Sequence, residues 1–352
     1  MKKIGITTFH WGTNYGGVLQ SYALQDFLTS KGYDVKIINY APVTHRDNIF
    51  YCFRSKNLDT ILKNLKEYLK ELKFRKFRKT NLSLTKRYTS SSFLDDLEFD
   101  IYVTGSDQVW NTISSKGNNY FYFLPFSKNR NVKKISYAAS FGVIDNETSS
   151  EKVKGLLRDF DIISVREEKG LDFLKNLGFE NLYLIPDPTL LKPTDFYEKL
   201  ALKSKFNAKS SVFVYALQNK QQLISNVVEN LESKNYNIIN TTEFKYSRLS
   251  IEDWLKCLMN SKYVITNSFH GVIFSIIFQT PFVVLPIEGA LIGMNSRIET
   301  LLKTFNLENR LLKSYCENSL NKILNTPLEP ELLIKKREVL IKEASNFVDI
   351  NF

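Results

Sequence analysis

The chain has 352 residues, of which 43% are hydrophobic and 24% are charged, a size and balance that predict about two globular domains. Its three cysteines and three histidines exclude a disulfide scaffold, a cysteine-rich zinc fold and any mechanism that needs a cluster of imidazoles, and they fit a reducing cytosol. Lysines and arginines outnumber acidic residues by 48 to 37, and most of this excess lies in one segment.

Short apolar runs alternate with helical patterns along the chain, which is typical of an α/β fold with parallel sheets. A first series of predicted strands lies at 3–9, 34–40, 101–104, 134–139, 162–165 and 182–185. A proline-rich seam at 186–194 separates it from a second series at 212–217, 236–240, 263–266 and 282–285. We therefore expect two Rossmann-like domains, residues 1–188 and 189–328. Residues 329–352 are predicted to form a C-terminal helix, which can pack back on the first domain.

Positive charge concentrates between residues 54 and 87, where twelve basic residues face three acidic ones and leave a net charge of +9. Apolar residues recur there at three- and four-residue steps, the period of an amphipathic helix. One interpretation is a helix docked on the domain with its lysines in water, and the other is contact with an anionic membrane surface. Nucleic acid is not an expected partner, because the segment lacks a zinc-finger spacing and interleaved stacking aromatic residues.

Two loops follow predicted strands of the first domain at positions where open α/β sheets bind ligands. The first contains Asn14, Gly16 and Gly17, and its paired glycines and helix-start amides suit the close approach of an anion. The second contains Asp107 and Trp110, which can hydrogen-bond sugar hydroxyls and offer an apolar face. A tight connection and an N-capped helix start are the respective alternatives.

The sharpest candidate follows the predicted strand at 263–266, where a turn leads into an apolar helix that begins with Phe269, His270 and Gly271. This pattern places His270 in the first turn of a helix, where backbone N–H groups attract an anion. A bound phosphate or carboxylate would keep the imidazole protonated, so the residue suits a general acid. A structural histidine is the alternative.

Two arginines are candidates for completing an anion pocket. Arg166 follows the strand at 162–165, and Arg297 lies at a predicted helix start. A guanidinium binds a carboxylate or a phosphate through two parallel hydrogen bonds, although a surface ion pair would use the same residue type. No metal site is expected, because the chain has no HExxH or similar spacing.

Six segments of the chain resemble, in order, the motifs of the polysaccharide pyruvyl transferase family. They are residues 14–25, 105–111, 136–142, 164–167, 187–189 and 266–271. The resemblance spans roughly residues 4–310, whereas the basic segment lies outside the motif set. It implies a two-domain fold similar to GT-B glycosyltransferases, with a cleft between the domains.

The resemblance also implies an activity, the transfer of a pyruvyl group from phosphoenolpyruvate to two hydroxyls of a sugar as a cyclic ketal. The sugar would belong to a surface polysaccharide or to its lipid-linked precursor, and no cofactor is expected besides the donor substrate. By the same resemblance His270 is the catalytic residue. The predicted donor-binding residues are Arg166, Asn267, Ser268, Gly271 and Arg297, and the predicted acceptor-binding residues are Asn14, Gly16, Gly17, Gln20, Asp107 and Trp110.

Two other functions remain open at this point. A GT-B-type glycosyltransferase that uses a nucleotide sugar would share the fold and the anion site. A non-catalytic basic module would instead dock on a membrane or nucleic acid through residues 54–87. The N-terminus is too short in its apolar part for a signal peptide, and no run of about 20 apolar residues could span a bilayer. We expect a soluble, cytoplasmic protein that can contact the inner face of the membrane.

Overall fold

The computed structural model describes residues 1–44, 46–89, 97–111, 120–125, 132–144, 150–217 and 222–352. They divide into two compact units. Unit 1 consists of Met1–Leu191 together with Leu340–Phe352, and unit 2 consists of Lys192–Val339. The boundary between them, after Leu191, lies three residues beyond the predicted one at 188 and within the proline-rich seam.

The described part of unit 1 is a parallel sheet covered by helices. Its strands are β1 (Lys3–Thr7), β2 (Asp34–Ile37), β3 (Ile101–Asp107), β4 (Lys133–Ala139), β5 (Ile163–Val165) and β6 (Leu182–Leu184). Its helices are α1 (Tyr15–Ser30), α2 (Ile49–Cys52), α3 (Leu58–Asn81), α4 (Ser150–Leu157) and α5 (Glu168–Asn176). The strand order is β2-β1-β3-β4-β5-β6, and all pairings are parallel.

The strand order of unit 1 reverses between β1 and β3. Ile4 of β1 is level with Val35 of β2 on one side and with Ile101 of β3 on the other. In open parallel sheets, ligands bind beyond the carboxyl ends of the strands at such a reversal, the topological switch point. The loops that follow Thr7 and Asp107 are therefore the place in unit 1 where a site is expected.

Apolar side chains cover both faces of this sheet. Val103 packs on one face with Leu24 of α1, and its neighbour Tyr102 packs on the other face with Val165, because successive side chains of a strand point in opposite directions. A parallel sheet buried on both faces produces near-continuous apolar runs in the sequence. This burial is why the strands were recognisable from apolar runs alone.

The described part of unit 2 is a second, smaller parallel sheet. Its strands are β7 (Val212–Tyr215), β8 (Ile238–Asn240), β9 (Tyr263–Thr266) and β10 (Phe282–Val284). Its helices are α6 (Thr194–Ala201), α7 (Gln222–Ser233), α8 (Ile251–Asn260), α9 (Phe269–Ile277), α10 (Asn295–Phe305) and α11 (Glu317–Asn325). The order β10-β9-β7-β8 puts the switch point between β7 and β9. All ten predicted strands are present, most of them within a few residues of the predicted bounds.

The last helix, α12 (Pro330–Asn351), begins in unit 2 and ends in unit 1. Phe347 and Val348 from its last turns lie in the core of unit 1. Lys31, which caps the C-terminus of α1, forms an ion pair with Asp349 at 2.8 Å. The end of the chain therefore contributes to the core of the first domain.

The basic segment forms α3, preceded by the short α2. The C-terminal half of α3 is docked: Phe74 and Phe77 are buried, and the ring centroids of Phe74 and Tyr15 are 5.0 Å apart. In the N-terminal half the apolar stripe lies at the surface, with Leu58 68% and Leu62 55% exposed. The docked interpretation therefore holds for one half only. No helix within the described ranges is both long enough and apolar enough to cross a membrane.

Candidate functional site

His270 lies in the first turn of α9, directly beyond the carboxyl end of β9. Ser268 has the extended backbone of an N-cap, and its Oγ accepts a hydrogen bond from the N–H of Gly271 at 3.4 Å. Asn267 Oδ1 accepts a hydrogen bond of 2.7 Å from the N–H of Leu217, which follows β7. These contacts fix the start of α9 at the switch point of unit 2, where a ligand site is expected.

Gly271 allows the start of α9 to lie against the end of β9. A Cβ at this position would lie 2.3 Å from Oγ1 of Thr266. That hydroxyl is held in place, because it donates to the carbonyl of Tyr215 at 2.6 Å and accepts from the N–H of Ser268 at 3.0 Å. Only glycine fits this close approach, so the residue has a steric role in building the site.

The start of α9 is rich in hydrogen-bond donors. Backbone N–H groups of a first helical turn, together with the helix dipole, attract anions. Asn267 is completely buried, and its Nδ2 has no hydrogen-bond partner among the described residues. A buried donor without a partner costs about 1–3 kcal/mol, which a ligand oxygen could recover. We call Asn267, Ser268, His270 and Gly271 the α9 site.

The ring of Phe269, at the start of α9, makes contacts with both His270 and Arg297. His270 is 6% exposed, and its ring lies edge-to-face with Phe269 at 5.3 Å between centroids. The guanidinium carbon of Arg297, from α10, lies 5.7 Å from the centroid of the same Phe269 ring. The structure therefore brings Arg297 close to the start of α9, and its role in binding the donor stays a prediction.

A second polar cluster lies beyond the carboxyl ends of β3, β5 and β6 in unit 1, and its member Asp107 ends a strand that borders the switch point. Arg166 Nη1 donates to Asp187 Oδ2 at 2.7 Å, and Nη2 donates to Asp107 Oδ1 at 3.1 Å. The side chain of Arg166 has no exposed surface. Burial alone would lower the pKa of Arg166, but the two aspartates keep that pKa above its ordinary value. We call these three residues the Arg166 cluster.

The surroundings of Arg166 correct the prediction that it holds the donor directly. Its Nη groups already bind two aspartates, and no part of the side chain reaches the surface. A buried arginine between two carboxylates fixes their positions, because removing it would leave uncompensated charges in the interior. We therefore describe Arg166 as a positioning residue for Asp107 and Asp187.

Gln20 also differs from its predicted role as an acceptor contact. Its side chain is fully buried. Nε2 donates to Thr8 Oγ1 at 2.7 Å, and Oε1 accepts from the N–H of Ser106 at 3.1 Å. Ser106 Oγ in turn lies 2.9 Å from Asp187 Oδ2. Gln20 therefore connects the loop after β1 and the last residues of β3 to the Arg166 cluster, and the buried amide is not exposed to a sugar.

Asp107 is also buried, but one of its carboxylate oxygens is left without a hydrogen-bond partner among the described residues. Oδ1 binds Arg166 and the N–H of Gln108, whereas Oδ2 has no hydrogen-bond partner in the part of the chain that is described. A Cβ on Gly17 would lie 3.2 Å from this Oδ2, so the glycine lets the start of α1 approach the carboxylate. Gly16 is buried beside it, and the exposed Asn14 caps α1 by accepting from the N–H of Gly17 at 3.2 Å.

Trp110 lies in the core, which corrects the prediction that its ring is a platform for a sugar. It is 1% exposed. Its ring is stacked at 5.7 Å from Phe123 and tilted at 5.3 Å from Phe141, and its Nε1 donates to the carbonyl of Tyr122 at 3.3 Å. The chain after β3 turns inward at this residue, so the aromatic ring stabilises unit 1.

Two polar residues of unit 1 were not assigned a role from the sequence. Asp187 accepts a hydrogen bond from Arg166 Nη1, and Thr8 Oγ1 accepts one from Gln20 Nε2. Asp187 lies in one of the six segments that resemble family motifs, and this position could have indicated its role. Thr8 had no signal beyond its place after β1.

The comparisons with known proteins give a family and a fold. A model of the family described as "Polysaccharide pyruvyl transferase" matches residues 14–289, a range that includes the Arg166 cluster and the α9 site. No curated protein matches the sequence.

Solved structures share the fold at low sequence identity. The glycotransferase of kitacinnamycin is 12% identical, with 99% of this chain and 98% of that chain covered and a TM-score of 0.53. UDP-N-acetylglucosamine 2-epimerase from Rickettsia bellii is 11% identical, with 99% and 98% covered and a TM-score of 0.52. UDP-GlcNAc 2-epimerase from Neisseria meningitidis, bound to UDP-GlcNAc, is 10% identical, with 98% and 100% covered and a TM-score of 0.51. These matches confirm the predicted fold class, two Rossmann-like domains of the GT-B type.

Proposed function

The chain belongs to the polysaccharide pyruvyl transferase family, and we propose that it takes the pyruvyl group from phosphoenolpyruvate and joins it to two hydroxyls of a sugar as a cyclic ketal. Family membership gives the enzyme class, a transferase of pyruvyl groups onto polysaccharide. The donor and the ketal product are the proposed part.

The observation that carries the choice of donor is the set of hydrogen-bond donors in the α9 site. Phosphoenolpyruvate has a phosphate and a carboxylate, so its site needs N–H groups and cations. Asn267 supplies a buried Nδ2 without a partner among the described residues, and the first turn of α9 supplies backbone N–H groups. Arg297 lies near the same helix start and adds the cation that two anionic groups require.

In the proposed reaction His270 is the general acid. An imidazolium N–H gives its proton to the methylene carbon of the donor, which becomes a methyl group and leaves C2 electrophilic. The first sugar hydroxyl adds to C2 and loses its proton. The second hydroxyl then attacks C2, the bond between C2 and the phosphate oxygen breaks, and phosphate leaves with the electron pair. Donors at the start of α9 stabilise the charge that develops on the leaving phosphate.

On the acceptor side, Asp107 is the proposed proton acceptor. Its Oδ2 has no hydrogen-bond partner among the described residues, and Arg166 holds the other oxygen in place. The sugar hydroxyls release two protons. One balances the proton that His270 delivers and the other balances the charge on the departing phosphate, and Asp107 passes its proton on to solvent, so the overall transfer needs no external acid or oxidant.

The proposed acceptor is carried by a lipid at an anionic membrane surface, which α2 and the start of α3 would contact. Phe50 is 75% and Phe53 is 57% exposed, close in sequence to the exposed Leu58. Arg54 and Lys63 add positive charge to this apolar surface, and a basic residue beside an anionic leaflet contributes about 1 kcal/mol. Co-sedimentation with vesicles should then require anionic lipid and fall with salt, and sedimentation independent of both would contradict the contact.

The experiment that tests the proposed reaction is incubation with phosphoenolpyruvate and candidate glycans, followed by mass spectrometry of the glycan. We expect the added mass of one pyruvyl ketal and release of one phosphate per transfer. Thermal unfolding with separate ligands tests the alternative, a glycosyltransferase that uses a nucleotide sugar. A ligand at a hundredfold excess over its Kd stabilises the folded state by roughly 2.7 kcal/mol. Stabilisation by nucleotide sugars and not by phosphoenolpyruvate would contradict the proposal.

A further inference from the structure

A pocket of about 280 Å³ lies in unit 1, where the loop after β1 and the segment after β2 face α3. Its lining includes His10 from the first loop and Asn39 from the second segment. Five basic side chains line it as well: Arg46, Arg75, Arg78, Lys79 and Arg87. The pocket thus joins two features that are far apart in the sequence, the loop at His10 and the basic segment. We call it the arginine pocket.

The arginine pocket has more positive than negative charge. Two acidic residues, Asp47 and Glu71, face its five basic side chains. Glu71 pairs with Arg78, and Asp47 pairs with Arg87. Arg75 shares both carboxylates more loosely, at 3.8 Å from Glu71 and 4.0 Å from Asp47. These pairs leave a surplus of three positive charges among the lining residues, part of which Glu67 offsets from outside the lining by pairing with Arg46 at 2.9 Å.

Backbone carbonyls hold the guanidinium groups of the pocket in fixed orientations. Arg78 Nη1 donates to the carbonyl of Gly12 at 2.9 Å, and Arg75 Nη2 donates to the carbonyl of Arg46 at 3.1 Å. Arg87 Nη2 donates to the carbonyl of Pro42 at 3.0 Å. A carbonyl orients an arginine without neutralising it. The arginines are therefore arranged in advance for an anion with several oxygens, which a guanidinium binds through paired N–H groups.

The neighbouring residues show the effect of this crowded positive charge. Burial, followed by the charge of Arg46, lowers the pKa of Lys70 to about 8. His10 has a lowered pKa, chiefly through burial, with a smaller contribution from Arg78. His10 is therefore neutral near pH 7, and its ring nitrogens lie 3.1 Å from the carbonyl of Thr8 and 3.0 Å from Asn39 Oδ1. The charge that attracts a ligand comes from the arginines and Lys79.

We propose that the arginine pocket binds the phosphate or diphosphate group of the sugar acceptor, an inference that rests on the proposed function. A small volume walled by arginines fits a compact anion with many oxygens. The α9 site of unit 2 already offers donors for the anions of phosphoenolpyruvate, so the pocket in unit 1 is assigned to the other substrate. A sugar whose carrier ends in a phosphate or diphosphate would be anchored there.

Calorimetric titration of the full chain with inorganic pyrophosphate tests the pocket directly. The pocket variant is Arg75→Gln/Lys79→Gln, which changes two exposed lining residues. The matched control is Arg158→Gln/Lys76→Gln, which removes the same charges from exposed positions outside the lining. We expect wild type and control to bind alike and the pocket variant to bind at least tenfold more weakly. Equal affinity for all three proteins, or equal loss in both variants, would overturn the assignment.

Further titrations separate the sources of the phosphate. Affinity for phosphoenolpyruvate should be the same in the pocket variant and the control, because the donor binds elsewhere. A tenfold loss confined to the pocket variant would make the pocket a donor site and overturn the assignment. Loss of binding to anionic vesicles in the pocket variant, with pyrophosphate binding intact, would show a lipid headgroup site and would also overturn it.

Activity assays distinguish this inference from the proposed function. The pocket variant should keep transfer to a free sugar without phosphate and lose at least tenfold in kcat/KM for the same sugar on a diphosphate carrier. Equal transfer to both acceptors would contradict the pocket assignment while leaving pyruvyl transfer intact. If no protein transfers pyruvate but pyrophosphate binding depends on the pocket, the proposed reaction fails and the anion site stands.

Discussion

The polar clusters beyond the strand ends of the two units differ in how far their charges and hydrogen-bond donors are already paired. In unit 1, Arg166 is enclosed by Asp107 and Asp187, so the protein neutralises its own charge. In unit 2, the Nδ2 of Asn267 has no hydrogen-bond partner among the described residues, next to the helix start that holds His270. The same topology thus serves two purposes. In unit 1 the ion-paired network holds the two carboxylates in position. In unit 2 the start of α9 has a hydrogen-bond donor without a partner among the described residues, so it is suited to bind an anion.

The largest effect expected from this contrast is on stability, for Arg166→Met. The substitution leaves two buried carboxylates without their cation, so the free energy of unfolding should fall by about 3–5 kcal/mol. Urea denaturation measures it. Arg158→Met is the matched control, because Arg158 is 71% exposed in its pair with Asp159 and should change stability by about 1 kcal/mol at most. Equal losses in the two variants would show that the Arg166 cluster is not a structural network.

His270→Gln should lower activity and leave stability unchanged, the reverse of what we expect for Arg166→Met. We expect pyruvyl transfer to fall on the order of 100-fold or more, the usual contribution of a general acid. Thermal unfolding should stay near that of the wild type, because glutamine keeps a polar side chain of similar size at this position. Turnover and melting are measured on the same preparation. A variant with near-normal turnover would remove His270 from the mechanism.

Asn267→Asp tests the donors of the α9 site. An aspartate oxygen can still accept from the N–H of Leu217, but Nδ2 is lost and a negative charge takes its place. We expect the KM for phosphoenolpyruvate to rise roughly tenfold, since a hydrogen bond to a charged group contributes about 1.5–3 kcal/mol. Asn14→Asp at the cap of α1 is the control and should leave this KM unchanged. A similar rise in both variants would indicate a general effect of charge.

The smallest expected effects concern the two helix caps. Asn14→Ala and Ser268→Ala each remove an oxygen that accepts from a first-turn N–H, and each should lower the free energy of unfolding by about 1 kcal/mol. Only Ser268→Ala should also raise the KM for phosphoenolpyruvate, because it loosens the start of α9. If the two variants raise the KM for phosphoenolpyruvate equally, the start of α9 has no special role in binding the donor.

The features that depend on local sequence were predictable. The strands were found because both faces of a parallel sheet are buried, which leaves continuous apolar runs. The location of His270 followed from a strand, a short turn and an apolar helix in immediate succession. Both inferences need only neighbours along the chain.

The features that depend on distant residues were not predictable. Arg166 binds Asp187, 21 residues away, and Asp107, 59 residues away, so its burial is a property of the folded sheet. Trp110 is one residue of an aromatic cluster whose members come from separate elements. The exposed position of Leu58 depends on where α3 docks. For each of these three residues, the surrounding sequence is compatible with a position at the surface or in the core.

Transfer carried out in deuterium oxide tests the central claim most directly, because the proposed role of His270 is to deliver a proton to the methylene carbon. Nuclear magnetic resonance of the pyruvylated glycan should show a methyl group with one deuterium from the solvent, and the rate of its formation should collapse in His270→Gln. A product that retains the methylene as an enol ether without deuterium, or a deuterated ketal formed equally fast without His270, would contradict the account.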